Sequence, residues 1–210
     1  MPSQAGVPIS FNDSKWTHLN TPTSLPAISS DGVQITVLSG PKTDWWRATS
    51  VDSSSGVVYG FKKGVGDEFE VSVDLGIDHQ VKATASDHAT VFLRLSSHTW
   101  VKAGVEYDLG ELWNSVVVTN PYSDWYGPIF HPVLPCSQFL PYEINPLLIS
   151  DTIQDRTLRV YLGDTMIREV HAFGQEDENE EAFVGVMACS PLGGGVKATF
   201  EGFQMREWVR

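Results

Sequence analysis

The chain has 210 residues, of which 41% are hydrophobic and 19% charged, and its formal net charge is −12. Average soluble domains carry ~25% charge, so this composition describes a folded chain rather than a disordered or coiled-coil one. Its acidity sets it against phosphate backbones and anionic lipid, so we expect neither nucleic acid nor a membrane as partner.

The length suits one sizeable core, and residues 1–210 read as a single domain. Residues 1–30 hold Pro2, Pro8, Pro22 and Pro26 and read as a wrapping segment with one short strand at Ile9–Phe11. Met1 to Gly6 show no basic leader, and no run nears the ~20 apolar residues of a membrane helix. A cytoplasmic location is therefore expected. Asp31-Gly32 opens a strand at Val33–Leu38, and Thr43-Asp44-Trp45-Trp46-Arg47 supplies another. Adjacent residues of a strand face opposite sides, so Trp45 shares its side with Arg47 and not with Trp46.

From Glu68 to Leu75 the odd positions Phe69, Val71, Val73 and Leu75 are apolar and the even ones polar. Val101–Tyr107 alternates in the same way, and Val91–Leu95 puts Val91, Leu93 and Leu95 on one side with Phe92 and Arg94 on the other. Leu109-Gly110 then turns the chain toward Ser115–Thr119, predicting a hairpin. Residues 121–150 contain six prolines and read as a long insertion, a loop packed by its own aromatic residues. Gly163-Asp164 joins Leu158–Leu162 to Met166–His171, the acidic Gln175–Glu181 reads as a solvated loop, and Gly193–Gly195 precedes the last strand. Period-two runs joined by short turns predict an all-β, antiparallel two-sheet β-sandwich of jelly-roll type.

One strand face carries unusual chemistry. Trp100, Lys102, Gly104 and Glu106 share the side opposite the apolar residues, and Arg94 on the preceding strand reaches the same side. Trp45 and Arg47 repeat the pairing of indole and cation, and Asp124 with Trp125 could supply a rim. Stacking indoles flanked by opposite charges are how proteins hold sugars and other polar rings. The leading expectation is thus non-catalytic binding of a carbohydrate-like or small polar ligand on a concave sheet. In it Trp45 and Trp100 stack, Arg47, Arg94 and Lys102 hold oxygens, and Glu106 orients a hydroxyl. The plainer reading of each Trp is core packing or loop anchoring.

An alternative is a glycoside hydrolase or lyase. Glu106-Tyr107-Asp108-Leu109-Gly110-Glu111 has the E-x-D-x-x-E form of sandwich glucanases, and Glu106 could work with Asp124 or Asp108. Leu109-Gly110 is, however, turn chemistry. The six histidines are scattered without H-x-H or H-E-x-x-H spacing, so no metal is expected, and no cofactor motif occurs. Cys136 and Cys189 read as reduced thiols, with a disulfide left open.

Several strings together resemble the family of bacterial YesU-like and fungal "regulation of enolase" proteins. They are Thr43–Arg47, Val91–Leu95 with Trp100–Tyr107, Ser115–Thr119 with Ser123-Asp124-Trp125, and Gly185-Val186-Met187-Ala188-Cys189-Ser190-Pro191. The resemblance spans about residues 40–205 and implies a concanavalin A-like fold. It also implies a third function class, a protein-binding metabolic regulator, and it places a turn after Glu106-Tyr107. The chain departs from that family by a longer insertion after Trp125.

Overall fold

The computed structural model describes residues 6–64, 68–78, 86–108, 111–129, 147–152, 157–173 and 181–208. They form seventeen strands and no helix. The N-terminal segment holds β1 (Val7–Pro8), β2 (Thr17–Leu19) and β3 (Ala27–Ile28). There follow β4 (Gln34–Leu38), β5 (Trp45–Ala48), β6 (Val51–Ser54), β7 (Val57–Gly64), β8 (Glu68–Ile77), β9 (Asp87–Arg94) and β10 (Trp100–Asp108). The remainder are β11 (Glu111–Thr119), β12 (Ser123–Ile129), β13 (Leu147–Thr152), β14 (Thr157–Leu162), β15 (Thr165–His171), β16 (Glu181–Cys189) and β17 (Lys197–Trp208).

These strands make the antiparallel sandwich that the alternation predicts. One sheet runs β15-β14-β13-β8-β17-β4-β3 with β1 also on β17, and the other runs β12-β11-β10-β9-β16-β7-β2. The predicted hairpin is present, with β10 and β11 antiparallel and Asp108 opposite Glu111. That register puts the E-x-D-x-x-E string around a hairpin bend and not along one strand. The odd residues Val71, Val73, Val91, Leu93, Val101 and Ala103 fill the space between the sheets together with Val184 and Val186. Each Val and Leu among them contributes about 1.5–3 kcal/mol by leaving water.

The structure differs from the sequence reading in two places. The N-terminal strand is Val7–Pro8, while Phe11 drops into the core against Trp16. The region 121–150 is not all loop: Ser123–Ile129 is the edge strand β12, and Leu147–Thr152 pairs with both β8 and β14. Residues 130–146, with Cys136, lie outside the described residues, as does most of the acidic loop at 174–180.

A second apolar cluster lies on the outer face of the seven-stranded sheet. Trp45, Val58, Phe92, Trp100, Val117, Phe183, Met187 and Cys189 pack there, beneath the small two-stranded sheet of β5 and β6. Gly185 lets the strands beneath it close up, since a Cβ there would stand 1.9 Å from the Tyr59 carbonyl oxygen.

Candidate functional site

Pairing register sorts the outward side chains of the seven-stranded sheet into rows. Cys189, His88 and Glu106 stand side by side on β16, β9 and β10. Phe92, Lys102, Val117 and Trp125 form a second row on β9, β10, β11 and β12. Phe183, Arg94, Trp100 and Thr119 form a third. The expectation that Arg94, Trp100, Lys102 and Glu106 share one face is therefore met by the backbone, but the face is not an open platform.

Trp45 and Trp100 are 3% and 1% exposed and touch each other edge-on, with Phe92 against both. The Trp45 indole Nε1 also donates to the Gly56 carbonyl at 2.8 Å. Both indoles are covered, so the proposed stacking by Trp45 and Trp100 is corrected: they anchor the β5–β6 hairpin. Arg47 is half-buried, with Nε 3.7 Å from Asp52 Oδ2 and its backbone N–H donating to Ser123 Oγ. It belongs to the same covering hairpin. Asp124 faces away from Glu106 and pairs with Arg168, whose Nη1 also donates to the Val116 and Asp124 carbonyls. The pairing of Glu106 with Asp124 expected of a hydrolase is thus not assembled; the Asp108 side chain lies outside the described ones.

Three expected residues do converge. Lys102, Glu106 and Trp125 border a cavity of about 350 Å³, with Asp44, Trp46, His88 and Leu192 among the other walls. Lys102 is 2% exposed and Glu106 6%, whereas Trp125 stands 42% exposed at the mouth. The Trp125 indole donates to Glu106 Oε2 at 3.0 Å, and His88 Nε2 lies 3.4 Å from Glu106 Oε1. Lys102 Nζ donates to Asp44 Oδ1 at 2.9 Å. That same oxygen accepts the Trp45 backbone N–H at 2.7 Å and, more distantly, the Cys189 thiol. The Asp44 carbonyl is held in turn by the backbone N–H groups of Ser55 and Gly56.

Burial dominates the protonation states. It pushes His88 well below its ordinary pKa, and the Lys102 charge adds to that, so the imidazole is neutral. Burial opposes the Lys102 charge as well, but the Asp44 carboxylate, by charge and hydrogen bond, and the Glu106 carboxylate outweigh it and its pKa rises. The Cys189 thiol is driven up by burial and stays protonated, which makes it inert as a nucleophile. His88 Nδ1 and, two residues along, Thr90 Oγ1 are buried without a hydrogen-bond partner among the described residues.

Asp44, His88 and Cys189 offer ligand atoms all within 4.8 Å of one another, close enough for a metal. The Lys102 ammonium already sits against the Asp44 oxygen of that trio, so a cation fills the position. Neither Asp44 nor His88 stands out in the sequence as a site residue. The available signal was Asp44 preceding two Trp residues, and His88 two residues from Thr90 on the face that Glu106 occupies.

A family model described as "Protein of unknown function (DUF1349)" matches residues 16–208. The chain belongs to the DUF1349 family. A relative of this DUF1349 chain, "Regulation of enolase protein 1" of Saccharomyces cerevisiae, is 27% identical over 193 residues, covering 89% of this chain and 87% of its own. A crystal structure of a functionally unknown protein from the same yeast superposes with a TM-score of 0.70 at 26% identity, over 96% of this chain and all of that one. The resemblance read from the sequence strings agrees with these matches. A xylan β-1,4-xylosidase from Bacillus halodurans shares the fold, with a TM-score of 0.62 at 14% identity. The DUF1349 chain there covers only 40% of the longer protein, although 97% of itself is matched.

Proposed function

We propose that this DUF1349 chain is a binding protein for a small, neutral, polyhydroxylated ligand of sugar type, seated between Trp125 and the Lys102–Glu106 floor. The observation that carries the reading is the buried charge at the bottom of a solvent-facing cavity. Burying an ion costs several kcal/mol even when it is paired, and apolar replacements are often as stable. Lys102 and Glu106 nevertheless line open space, where an ammonium and carboxylates match the donors and acceptors of vicinal hydroxyls. The orphaned His88 Nδ1 lies in the same wall and adds an unfilled polar group of the kind found at working sites.

Charge narrows the class. Asp44, Glu106 and Lys102 leave the cavity one negative charge when His88 and Cys189 are neutral, inside a chain of net charge −12. Sugar acids and phosphorylated sugars are therefore disfavoured against neutral polyols. The test is calorimetric titration with a panel of neutral saccharides, polyols and their acidic counterparts. A neutral hit that Trp125→Ala and Lys102→Met each weaken supports the reading; a hit indifferent to both, or a preference for the acids, overturns it.

A second reading is a protein-binding regulator, in line with the name of the yeast relative. It rests on the exposed Tyr122, Trp125 and Tyr126 at the β12 edge and on Leu192. Binding of enolase that Trp125→Ala and Leu192→Ala weaken, together with a blank saccharide panel, would favour it.

A further inference from the structure

Among the residues that the sequence placed at the concave site and the structure did not is Arg94. It emerges on the other side of the Trp45–Phe92–Trp100 block, in a separate groove of about 650 Å³ that shares no lining residue with the first cavity. We propose that this groove is a second binding site, taking an organic anion with a flat apolar body, such as an aryl carboxylate or phosphate monoester.

The backbone register builds the site. Lys62, Phe183 and Arg94 are opposite one another on β7, β16 and β9. Strands lie about 4.8 Å apart, so two cations flank one phenyl ring at a separation of about 10 Å. Leu19 on β2 and Phe61 extend the apolar surface, and Lys15 stands over the Phe61 ring at 4.3 Å. Lys15, Lys62 and Arg94 face the single carboxylate Glu181, which holds Lys62 at 2.7 Å. The groove thus carries a surplus of two positive charges within a chain of net charge −12. Such segregation concentrates anions locally.

Arg94 itself is the strongest sign. Among the described residues Arg47, Arg159, Arg168 and Arg206 each have a carboxylate partner, and Arg94 has none. It is half-buried, its Nε donates to the Ser96 carbonyl at 3.0 Å, and its guanidinium lies 5.9 Å from the Trp45 ring centre. Those contacts orient the planar fork while no described acid neutralises it. A guanidinium so held suits bidentate binding of carboxylate or phosphate oxygens. The volume falls within the usual range for small-molecule sites.

The probe is phenyl phosphate, titrated into the full chain by calorimetry and by amide NMR, with phenol and inorganic phosphate as controls. Phenyl phosphate should bind more tightly than either control, shift amides at positions 94 and 181–183, and weaken as salt is raised. Arg94→Gln should lower its affinity about tenfold, the loss of a charge-assisted bidentate contact. Trp125→Ala should leave it unchanged, which keeps this site's test apart from that of the first cavity. Should Arg94→Gln fold poorly, the exposed Lys62→Gln supplies the same test with a smaller loss. Absence of binding, equal affinity for inorganic phosphate, or insensitivity to both Arg94→Gln and Lys62→Gln would overturn the proposal.

Discussion

Replacing Lys102 with methionine isolates the electrostatics of the cavity floor. Methionine keeps a straight apolar stem, so packing beside Phe92 and Val117 changes little, while the ammonium against Asp44 disappears. Removing one member of a buried ion pair costs about 3–5 kcal/mol; Asp44 is partly exposed, which brings the expected loss at neutral pH to about 3 kcal/mol. For a chain of this size that is roughly a 6–12 °C fall in Tm. The pH dependence carries the diagnosis. Lys102 has a raised pKa in the fold, so its contribution is complete below the unfolded value near ~10.4 and is lost only as pH climbs through the folded one. Between pH 5 and 8 the wild type is therefore insensitive to this group. The variant is not: without the Lys102 charge that adds to burial in holding His88 neutral, the imidazole takes up a proton more readily as pH falls, and the variant recovers stability. Urea unfolding of both proteins at pH 7.5 and pH 5 should show the gap shrinking to less than about half. A gap below about 0.5 kcal/mol at neutral pH, or one equal at both, would refute the buried-pair argument.

Three further outcomes follow from the same geometry. His88 is held neutral, so the unfolded chain binds a proton near ~pH 6.5 that the fold refuses; stability present above that pH is lost below it, by up to about 1.4 kcal/mol per unit. His88→Gln should flatten that limb in unfolding curves taken between pH 5 and 7. Cys189, fully buried with a raised pKa, should remain unmodified by iodoacetamide in the native protein and react once urea unfolds it, read by peptide mass spectrometry. Gly185→Ala would drive a methyl into the Tyr59 carbonyl, a rigid neighbour, and should lower Tm by more than about 5 °C in calorimetry.

The sandwich was legible because both sheets bury one face cleanly, and the alternation of Phe69 to Leu75 and of Val101 to Tyr107 reports that directly. The outer face was harder to read. The even positions of β10 mix Trp, Lys, Gly and Glu, a pattern equally suited to an open surface and to one covered by a distant hairpin. Nothing local to Trp100 reveals that Trp45, more than fifty residues earlier, lies on it. Strand β12 was hidden by Pro128 and by its edge position, where only one side must pair. Its reading as loop also concealed that alternation turns Trp125 toward Glu106 and Asp124 away from it. Asp44 and His88 went unnoticed because their roles arise from register and burial.

The wall that Trp125 forms is positioned from the other sheet. Arg168 belongs to β15, the edge strand of the other sheet, and its guanidinium grips β11 and β12 through the Val116 and Asp124 carbonyls and the Asp124 carboxylate. It acts as a tie-rod between the two sheets. Where the rod lands is decided by the bulge in β15, since Val160 pairs with Arg168 and Tyr161 with Met166, leaving Ile167 unmatched. One extra residue in one sheet thus gauges the mouth of a cavity built on the other. Variation along β15 is a route by which relatives could widen or narrow that mouth while every residue lining it stays the same.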